Sequence, residues 1–311
     1  MADKITLLQE QLGKIIKGKK QITDKMLMAV LAKGHILLED VPGVGKTTTA
    51  LALSRLMGMD FNRIQFTPDV VPSDVTGFTM YDKASGQFLY RPGAVMCNML
   101  LADEINRTSS KTQSALLEVM EEGSVTVDQE AHPVPQPFVV IATENPVGSL
   151  GTQLLPESQL DRFMVSLSMG YPDHASLVEL LRDRQKENPL EHTAPVLTRE
   201  ELLSLQEQVQ KVYVSDAVLD YAVSLAEATR ADELVTLGLS PRGTLALMRM
   251  AKAHAFMEKR DYVVPKDVQA VFADVAGHRM VLDTKARYED KGPRQILEQI
   301  LLQVPVPRVD G

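Results

Sequence analysis

Apolar residues recur in two alternating patterns along residues 1–172. Stretches with an apolar residue at every third or fourth position, such as 20–34 and 47–58, predict helices. Continuous apolar runs between the helices predict buried strands. These runs are HILLED (35–40), RIQFT (63–67), VMCNMLLADE (95–104), FVVIATEN (138–145) and FMVSLSM (163–169). Strands of this kind, alternating with helices, predict an α/β fold with a mostly parallel sheet covered on both faces.

The pattern changes after Pro172. Several amphipathic stretches follow, and many of them begin with Ser, Thr, Asp or Pro, which are typical of helix starts. These helix candidates are 175–185, 198–212, 215–229, 241–260, 265–280 and 293–303. Because 311 residues exceed a typical single domain, we expect two domains. The first is an α/β domain over 1–172, and the second is an all-helical domain over 173–311.

Two segments of the first domain have strand-like arms on either side of a turn. In residues 77–93 the arms lie on either side of DKASG, and in residues 124–138 they lie on either side of QEAH, so both segments are predicted to be inserted β-hairpins. The first hairpin concentrates aromatic side chains: Phe78, Tyr81, Phe88 and Tyr90. Packing between the two arms explains this cluster about as well as contact with a partner protein does.

Composition excludes several classes of protein. A net charge of −8 argues against a nucleic-acid surface that relies on bulk positive charge. Cys97 is the only cysteine, which excludes an intrachain disulfide, and its apolar neighbours predict a buried, unreactive thiol. The six histidines lack the close spacing of zinc ligands. We therefore expect no metal except a nucleotide-bound ion.

The chain carries no pattern typical of membrane insertion or export. Its apolar segments are shorter than the roughly 20 residues that a membrane-spanning helix needs. The N-terminal MADKITLLQEQ lacks the charged and then apolar regions of a signal peptide. We expect a cytoplasmic protein without a membrane span.

Residues 35–58 are the most informative segment, because an apolar strand is followed by a glycine-rich loop with GKT and then by a helical pattern. That order predicts a phosphate-binding P-loop. Its glycines free the backbone amides to face phosphate oxygens, and the next helix adds its positive end. Lys46 would reach the β- and γ-phosphates, and the Thr47 hydroxyl would bind Mg²⁺. The expected nucleotide contacts are Gly43, Val44, Gly45, Lys46, Thr47 and Thr48.

A pair of acids ends the apolar run 95–104. An α/β sheet presents side chains to a ligand beyond the carboxyl ends of its strands. Asp103 would hold Mg²⁺ directly or through water, and Glu104 would orient and deprotonate the attacking water. An acidic pair after an apolar run is common by itself, but its combination with a P-loop predicts hydrolysis as well as binding.

Three further polar residues occupy informative positions. Asn145 ends a buried strand, where its amide can reach a γ-phosphate or the attacking water, although Asn also commonly precedes Pro in a turn. Arg162 follows a short helix candidate, and an ion pair with Asp161 or another neighbour is the simpler explanation. Arg242 lies in the first turn of a helix, where cations are disfavoured, so we expect it to have an anionic partner.

In this order, the motifs DVPGVGKT, LLADEINR, ATENP, LPESQLDRF and LSPRG closely resemble the MoxR family of AAA+ ATPases. The resemblance covers nearly the whole chain and implies an AAA+ αβα sandwich followed by a helical lid. It also implies roles: Lys46 and Thr47 in Walker A, Asp103 and Glu104 in Walker B, Asn145 as sensor 1, Arg162 as arginine finger and Arg242 as sensor 2. Asp40 replaces the first glycine of the full P-loop pattern, and the family commonly has acidic residues there.

The resemblance further implies a ring, usually a hexamer, with ATP between subunits. Arg162 would serve the neighbour's site, and Arg242 its own subunit's nucleotide. The two hairpins would face the central pore, and residues 15–20 would contribute to the adenine pocket. The implied partners are a client protein complex and a separate protein with a von Willebrand factor A domain.

The sequence thus predicts an ATPase that uses ATP and Mg²⁺ to remodel, assemble or mature a client protein, for example by cofactor insertion. Two alternatives from other classes remain open. One is a nucleic-acid motor of the helicase or clamp-loader kind, which the acidic composition disfavours. The other is a scaffold that binds ATP to assemble but hydrolyses it too slowly for mechanical work.

Overall fold

The structure, a computed structural model, describes residues 2–39, 43–144, 155–185 and 189–308. Asp40 and Asn145 lie outside the described residues. The helices are α1 (Ala2–Ile15), α2 (Lys20–Leu31), α3 (Lys46–Leu56), α4 (Pro72–Thr76), α5 (Ser110–Glu122), α6 (Glu157–Leu160), α7 (His174–Arg184), α8 (Arg199–Gln210), α9 (Asp216–Ala231), α10 (Pro241–Met257), α11 (Pro265–Ala276), α12 (Thr284–Tyr288) and α13 (Pro293–Gln303). Short 3-10 helices span Ile105–Arg107, Pro189–His192 and Gly277–Arg279.

The strands are β1 (Ile36–Glu39), β2 (Phe61–Gln65), β3 (Gly77–Asp82), β4 (Gln87–Pro92), β5 (Met99–Asp103), β6 (Ser124–Val127), β7 (Glu130–Pro133), β8 (Val139–Glu144), β9 (Val165–Leu167), β10 (Val235–Leu237) and β11 (Val281–Leu282). Within the described ranges, one five-stranded sheet has the order β2-β5-β8-β1-β9, with all its pairings parallel. The predicted α/β fold with a parallel sheet is confirmed.

Apolar burial on both faces explains why the inner strands β1, β5 and β8 read as continuous apolar runs. Neighbouring residues of a strand point to opposite faces. Leu37 accordingly packs in one hydrophobic core, and Ile36 and Leu38 pack in the other. The predicted strand over 63–67 is shifted, since β2 begins at Phe61, where its register with Met99 of β5 starts.

The helix α1 has no counterpart among the expected elements. Its apolar residues Ile5, Leu8, Leu12 and Ile15 recur at helical spacing, and all of them are buried. That spacing is a sequence signal that could have predicted the helix. The segment after α1 lines a cavity beside the loop between β1 and α3, which is described below.

Both inserted hairpins are confirmed as antiparallel pairs, β3 with β4 and β6 with β7. The rings of Tyr90 and His132 stack with centroids 3.9 Å apart and an interplanar angle of 6°. Because Tyr90 belongs to the first hairpin and His132 to the second, this stack joins the two hairpins.

The C-terminal part of the chain contains the expected helices, with α12 in addition. The expectation of an all-helical second domain is wrong in one respect, because β10 and β11 form a small antiparallel ribbon. Both strands contain β-branched valine, which favours extended backbone. A domain boundary near Pro172 stays a prediction. No helix among the described residues is long and apolar enough to cross a membrane.

Candidate active site

The loop between β1 and α3 has the backbone of a phosphate-binding site. Gly43 and Gly45 have φ angles of 86° and 97°, a region that favours glycine. Among the residues that the structure describes, and apart from each glycine's chain neighbours, no atom lies within 4 Å of where a Cβ would be at either glycine, so these leave this side of the loop open to a ligand. Since α3 begins at Lys46, its first amides and positive dipole end face the loop. This geometry fits an anion.

Thr143 of β8 holds the two predicted acids in place. Its hydroxyl donates a hydrogen bond to Asp103 Oδ1 at 2.7 Å, and its oxygen accepts the Glu104 amide at 2.8 Å. Thr143 is fully buried. Glu104 has φ 57° and ψ 49°, a left-handed conformation that costs free energy in a residue with a side chain. The rest of the fold therefore offsets this free-energy cost and holds Glu104 beyond the end of β5.

Polar residues of β2 and of the 3-10 helix after β5 contact the same two carboxylates. Arg63 Nη2 lies 2.7 Å from Asp103 Oδ2, and Gln65 Nε2 donates to Glu104 Oε2 at 2.9 Å. Arg107 Nη1 donates to Glu104 Oε2 at 2.8 Å. Sequence reasoning missed Arg63, Gln65 and Thr143. The available signal was polar residues at alternate positions of β2, which point to the same face of the strand.

Two adjoining cavities meet at the loop. One of about 430 Å³ is lined by Lys46, Thr47, Asp103 and Glu104. The other, of about 550 Å³, extends to residues 15–19 and to α7. Gly43, Gly45 and Thr48 line both cavities, whereas Val44 lines the second. The loop therefore separates a polar end from a more apolar one, which matches the phosphate and base ends of a nucleotide.

The larger cavity lies between the segment after α1 and the first turns of α7. Its apolar lining includes Ile15, Ile16, Leu177 and Leu180. Lys17, which also lines this cavity, forms ion pairs with Glu179 and Asp183 of α7, and the hydrogen bond that it donates to Glu179 raises its pKa. The cavity is thus an apolar slot with charged residues at its rim.

Two glutamates lie side by side on neighbouring strands at the carboxyl edge of the sheet. Glu39 of β1 and Glu144 of β8 are register partners. Burial, together with the charge of Glu39, raises the pKa of Glu144 to about 7. Asn145, which follows Glu144, lies outside the described residues, so its predicted role stays a prediction.

Arg162 and Arg242 share one carboxylate. Arg162 Nε lies 3.2 Å from Glu121 Oε2, and Arg242 Nη1 lies 3.2 Å from Glu121 Oε1. The expected anionic partner of Arg242 is therefore confirmed, and it is Glu121. Asp161, the partner considered for Arg162, instead pairs with Arg279 at 2.7 Å.

A cavity of about 570 Å³ surrounds the two arginines. Its charged lining is Lys33, Arg162, Arg242, Arg249 and Arg279 against Glu121 and Asp161. Cations outnumber anions in this lining, so it attracts an anion.

The arginine pair lies at the amino edge of the parallel sheet. His35, which precedes β1, bonds through Nε2 to the carbonyl of Met120, the residue before Glu121, at 3.0 Å. Its own carbonyl accepts the amide of Met164, two residues after Arg162, at 2.8 Å. The P-loop follows the other end of β1. Four residues at roughly 3.3 Å each put about 13 Å between these edges.

Helix α10 of the C-terminal part contacts the rest of the chain at the amino edge of the sheet. Arg249 of α10 donates to the carbonyl of Lys33 at 2.9 Å and also to that of Ala32, at the end of α2. The start of α10, with Arg242, is therefore near the amino ends of the strands. Arg242 lines neither P-loop cavity and pairs with Glu121 on the far edge, so this geometry gives no support to the expectation that it serves the nucleotide of its own subunit, and its role stays a prediction.

Cys97 is buried, as the sequence predicts. Burial raises the pKa of its thiol to about 12, so the thiol stays protonated and unreactive at neutral pH. No cluster of three or more metal-ligating His, Cys, Asp or Glu side chains occurs among the described residues.

The fold and this site together define a P-loop ATPase with a helical lid. A family model for the ATPase family associated with various cellular activities (AAA) matches residues 35–165, and a model for the AAA lid domain matches residues 227–300. These matches include the P-loop, both acids, Arg162 and Arg242.

Similarity to individual proteins identifies the family within this class of ATPases. Chaperone MoxR1 of Mycobacterium tuberculosis is 40% identical over 97% of this chain and 82% of its own length. The uncharacterized protein YeaC of Bacillus subtilis is 49% identical over 96% of this chain and 93% of its own length. A crystal structure described as an ATPase from Cytophaga hutchinsonii superposes with a TM-score of 0.92 at 38% identity, covering 99% and 96% of the two chains. The chain belongs to the MoxR family of AAA+ ATPases.

Proposed function

We propose that this ATPase couples hydrolysis to chaperone-like remodelling of a client protein complex, including its assembly or the insertion of a cofactor. The similarity to MoxR1 of Mycobacterium tuberculosis, which is named a chaperone, supports this proposal. The observation that carries the mechanism is the position of Arg162 and Arg242, together on Glu121 and across the sheet from the P-loop.

The residues around the P-loop fit ATP with Mg²⁺. The Thr47 hydroxyl and the Asp103 carboxylate are the hard oxygen ligands that this ion prefers. Bound there, Mg²⁺ would neutralise charge on the phosphates. Lys46 would hold the β- and γ-phosphates, and Glu104 would orient and deprotonate the attacking water. The adenine base would occupy the apolar slot near residues 15–19.

One subunit offers the P-loop at the carboxyl edge of the sheet and the arginine pair at the amino edge. Two different surfaces that bind each other make a head-to-tail contact, which closes into a ring when the rotation permits. We infer a ring homo-oligomer, a hexamer, in which Arg162 and Arg242 of one subunit both reach the nucleotide of the next. An arginine supplied in this way raises the rate by about 10³ to 10⁵.

The first hairpin supplies the client-binding surface in this proposal. Tyr81 and Phe88 pack edge to face at 5.3 Å, so contact between the arms accounts for part of the aromatic cluster. Phe78, Tyr81 and Phe88 nevertheless stay 50%, 51% and 73% exposed, which leaves apolar surface for a partner. A partner with a von Willebrand factor A domain rests on the family resemblance alone. The cytoplasmic location stays a prediction from the sequence.

Capture with a hydrolysis-deficient variant tests the coupling to a client. Glu104→Gln subunits should hold ATP and retain the client, whereas Lys46→Ala subunits, which lack the phosphate contact, should retain far less. The captured client is then matured with the parent protein and with Glu104→Gln. Maturation by the parent alone supports the proposal, and equal maturation by the variant contradicts it.

A further inference from the structure

Arg279 fixes the backbone on both sides of Arg162. It is almost fully buried, at 5% exposure. Its Nε donates to Asp161 Oδ1 at 2.7 Å, and its Nη2 donates to the carbonyls of Asp161 and Phe163 at 3.2 and 2.5 Å. A buried guanidinium is tolerated when a carboxylate and such acceptors replace water. A residue of the lid thus holds the segment that carries the arginine finger.

Asp161 also contacts the start of α10. The Ser240 hydroxyl donates to Asp161 Oδ2 at 2.9 Å. As the N-cap of α10, Ser240 also accepts a hydrogen bond at its Oγ from the Gly243 amide at 3.0 Å. An N-cap fixes the first turn of its helix. That turn contains Arg242. One carboxylate therefore adjoins Arg162 in sequence and holds the cap of the helix that carries Arg242.

We propose that Asp161 is a positioning residue for ATP hydrolysis: it holds Arg162 and Arg242 in a fixed relation so that both meet the same γ-phosphate. This inference rests on the proposed function, in which the two arginines act on the neighbouring subunit's nucleotide.

The contacts of Arg162 and Arg242 with Glu121 hold the two arginines less firmly than Asp161 holds the backbone around them. Each lies 3.2 Å from Glu121, whose side chain is 40% exposed, and that carboxylate must be exchanged for the incoming phosphate. The links from Asp161 to Arg279 and Ser240 need not break in this exchange. A displacement of about 1 Å at a reacting group costs on the order of 10²-fold in rate. Loss of Asp161 should therefore lower kcat, while nucleotide binding in the subunit's own P-loop continues.

The test is steady-state ATP hydrolysis by Asp161→Asn, which keeps the shape of the side chain and removes its charge. Homogeneous Asp161→Asn protein should lose about 10²-fold in kcat, with the KM for ATP nearly unchanged. Mixing it with Lys46→Ala subunits should restore activity, because these carry intact Asp161, Arg162 and Arg242 and present them to a working P-loop. Asp220→Asn, an exposed residue of α9, is the matched control and should behave as the parent.

The arginine variants and the Asp161 variant separate the positioning role of Asp161 from the proposed function. If Arg162→Ala and Arg242→Ala abolish hydrolysis but Asp161→Asn does not lower kcat, the positioning role is wrong and the proposed function stands. If the two arginine variants hydrolyse ATP as the parent does, the proposed function fails.

A second variant pair covers the case in which Asp161→Asn does not fold. Ser240→Ala removes the hydroxyl that meets Asp161, and Ser240→Thr retains one. Ser240→Ala should lower kcat and regain activity when mixed with Lys46→Ala subunits, while Ser240→Thr should keep most of the parent's kcat. Equal losses in both variants, or no recovery on mixing, would overturn the positioning role.

Discussion

Thr143 donates its hydroxyl hydrogen to Asp103 at 2.7 Å, across neighbouring parallel strands. The same oxygen accepts the amide of Glu104, so one buried side chain orients both acids. Thr143→Val keeps the shape and removes both hydrogen bonds. We expect kcat to fall about 10- to 100-fold, the usual effect of removing a partner that orients metal ligands. Thr143→Ser, which keeps the hydroxyl, should retain most of the activity, and equal losses in the two variants would contradict this role.

Glu104→Gln should separate binding from hydrolysis. An amide cannot accept the proton of the attacking water, so hydrolysis should fall by at least about 10²-fold. ATP affinity should stay close to that of the parent, since Lys46 and the P-loop amides are unchanged. Equilibrium binding of a fluorescent ATP analogue and phosphate release measure the two quantities. Glu118→Gln, exposed on α5, is the control, and undiminished phosphate release by Glu104→Gln would remove Glu104 from the reaction.

Folding stability should fall as the pH drops below 6.5. Burial lowers the pKa of His35 from 6.5 to about 4, with the charges of Arg249 and Arg242 adding to the effect. Burial, aided by Arg279, lowers that of His278 to about 3. The unfolded chain therefore binds more protons than the folded one below pH 6.5. The stability that neutral His35 provides is complete above pH 6.5 and is lost as the pH falls through about 4.

Glu144 acts in the opposite direction. Its pKa rises from 4.5 to about 7, so it favours the folded state at low pH and loses that contribution as the pH rises through 7. The contribution of one histidine to the pH dependence of the unfolding free energy is therefore best measured as the difference between the parent and a variant. Between pH 4 and 6.5, His35→Gln should flatten the dependence of the unfolding free energy on pH by about 1.4 kcal/mol per pH unit. Denaturant titrations at several pH values measure this slope, and an unchanged slope would show that His35 is not buried in its neutral form.

The positions of the expected nucleotide-binding residues could be predicted from the sequence because they depend on the local order of elements. A strand, a glycine loop and a helix place Lys46 and Thr47 wherever the domain lies, and a strand end places Asp103 beside them. The same holds for the inner strands β1, β5 and β8, whose burial on both faces leaves continuous apolar runs, whereas the edge strand β2 is largely exposed and was predicted with shifted bounds. The positive helix end likewise required an anion near Arg242 without identifying it.

The parts that sequence reasoning missed depend on packing between distant segments. Glu121 meets Arg242 because α10 docks against α2 at the amino edge of the sheet, and no local pattern encodes that docking. The same docking places Arg242 at the opposite edge of the sheet from its own P-loop. Thr143 and Gln65 become site residues through strand order, since β2 and β8 flank the strand that ends in Asp103.

Hydrolysis by mixed subunits tests most directly whether one active site is built from two subunits. Lys46→Ala and Arg242→Ala should each be nearly inactive alone. In an equimolar mixture, roughly a quarter of the head-to-tail interfaces would join an intact P-loop to an intact Arg242. We predict that the mixture regains hydrolysis, up to about that fraction of the parent rate. A mixture no more active than its separate components would show that Arg242 works within its own subunit, and would contradict the account.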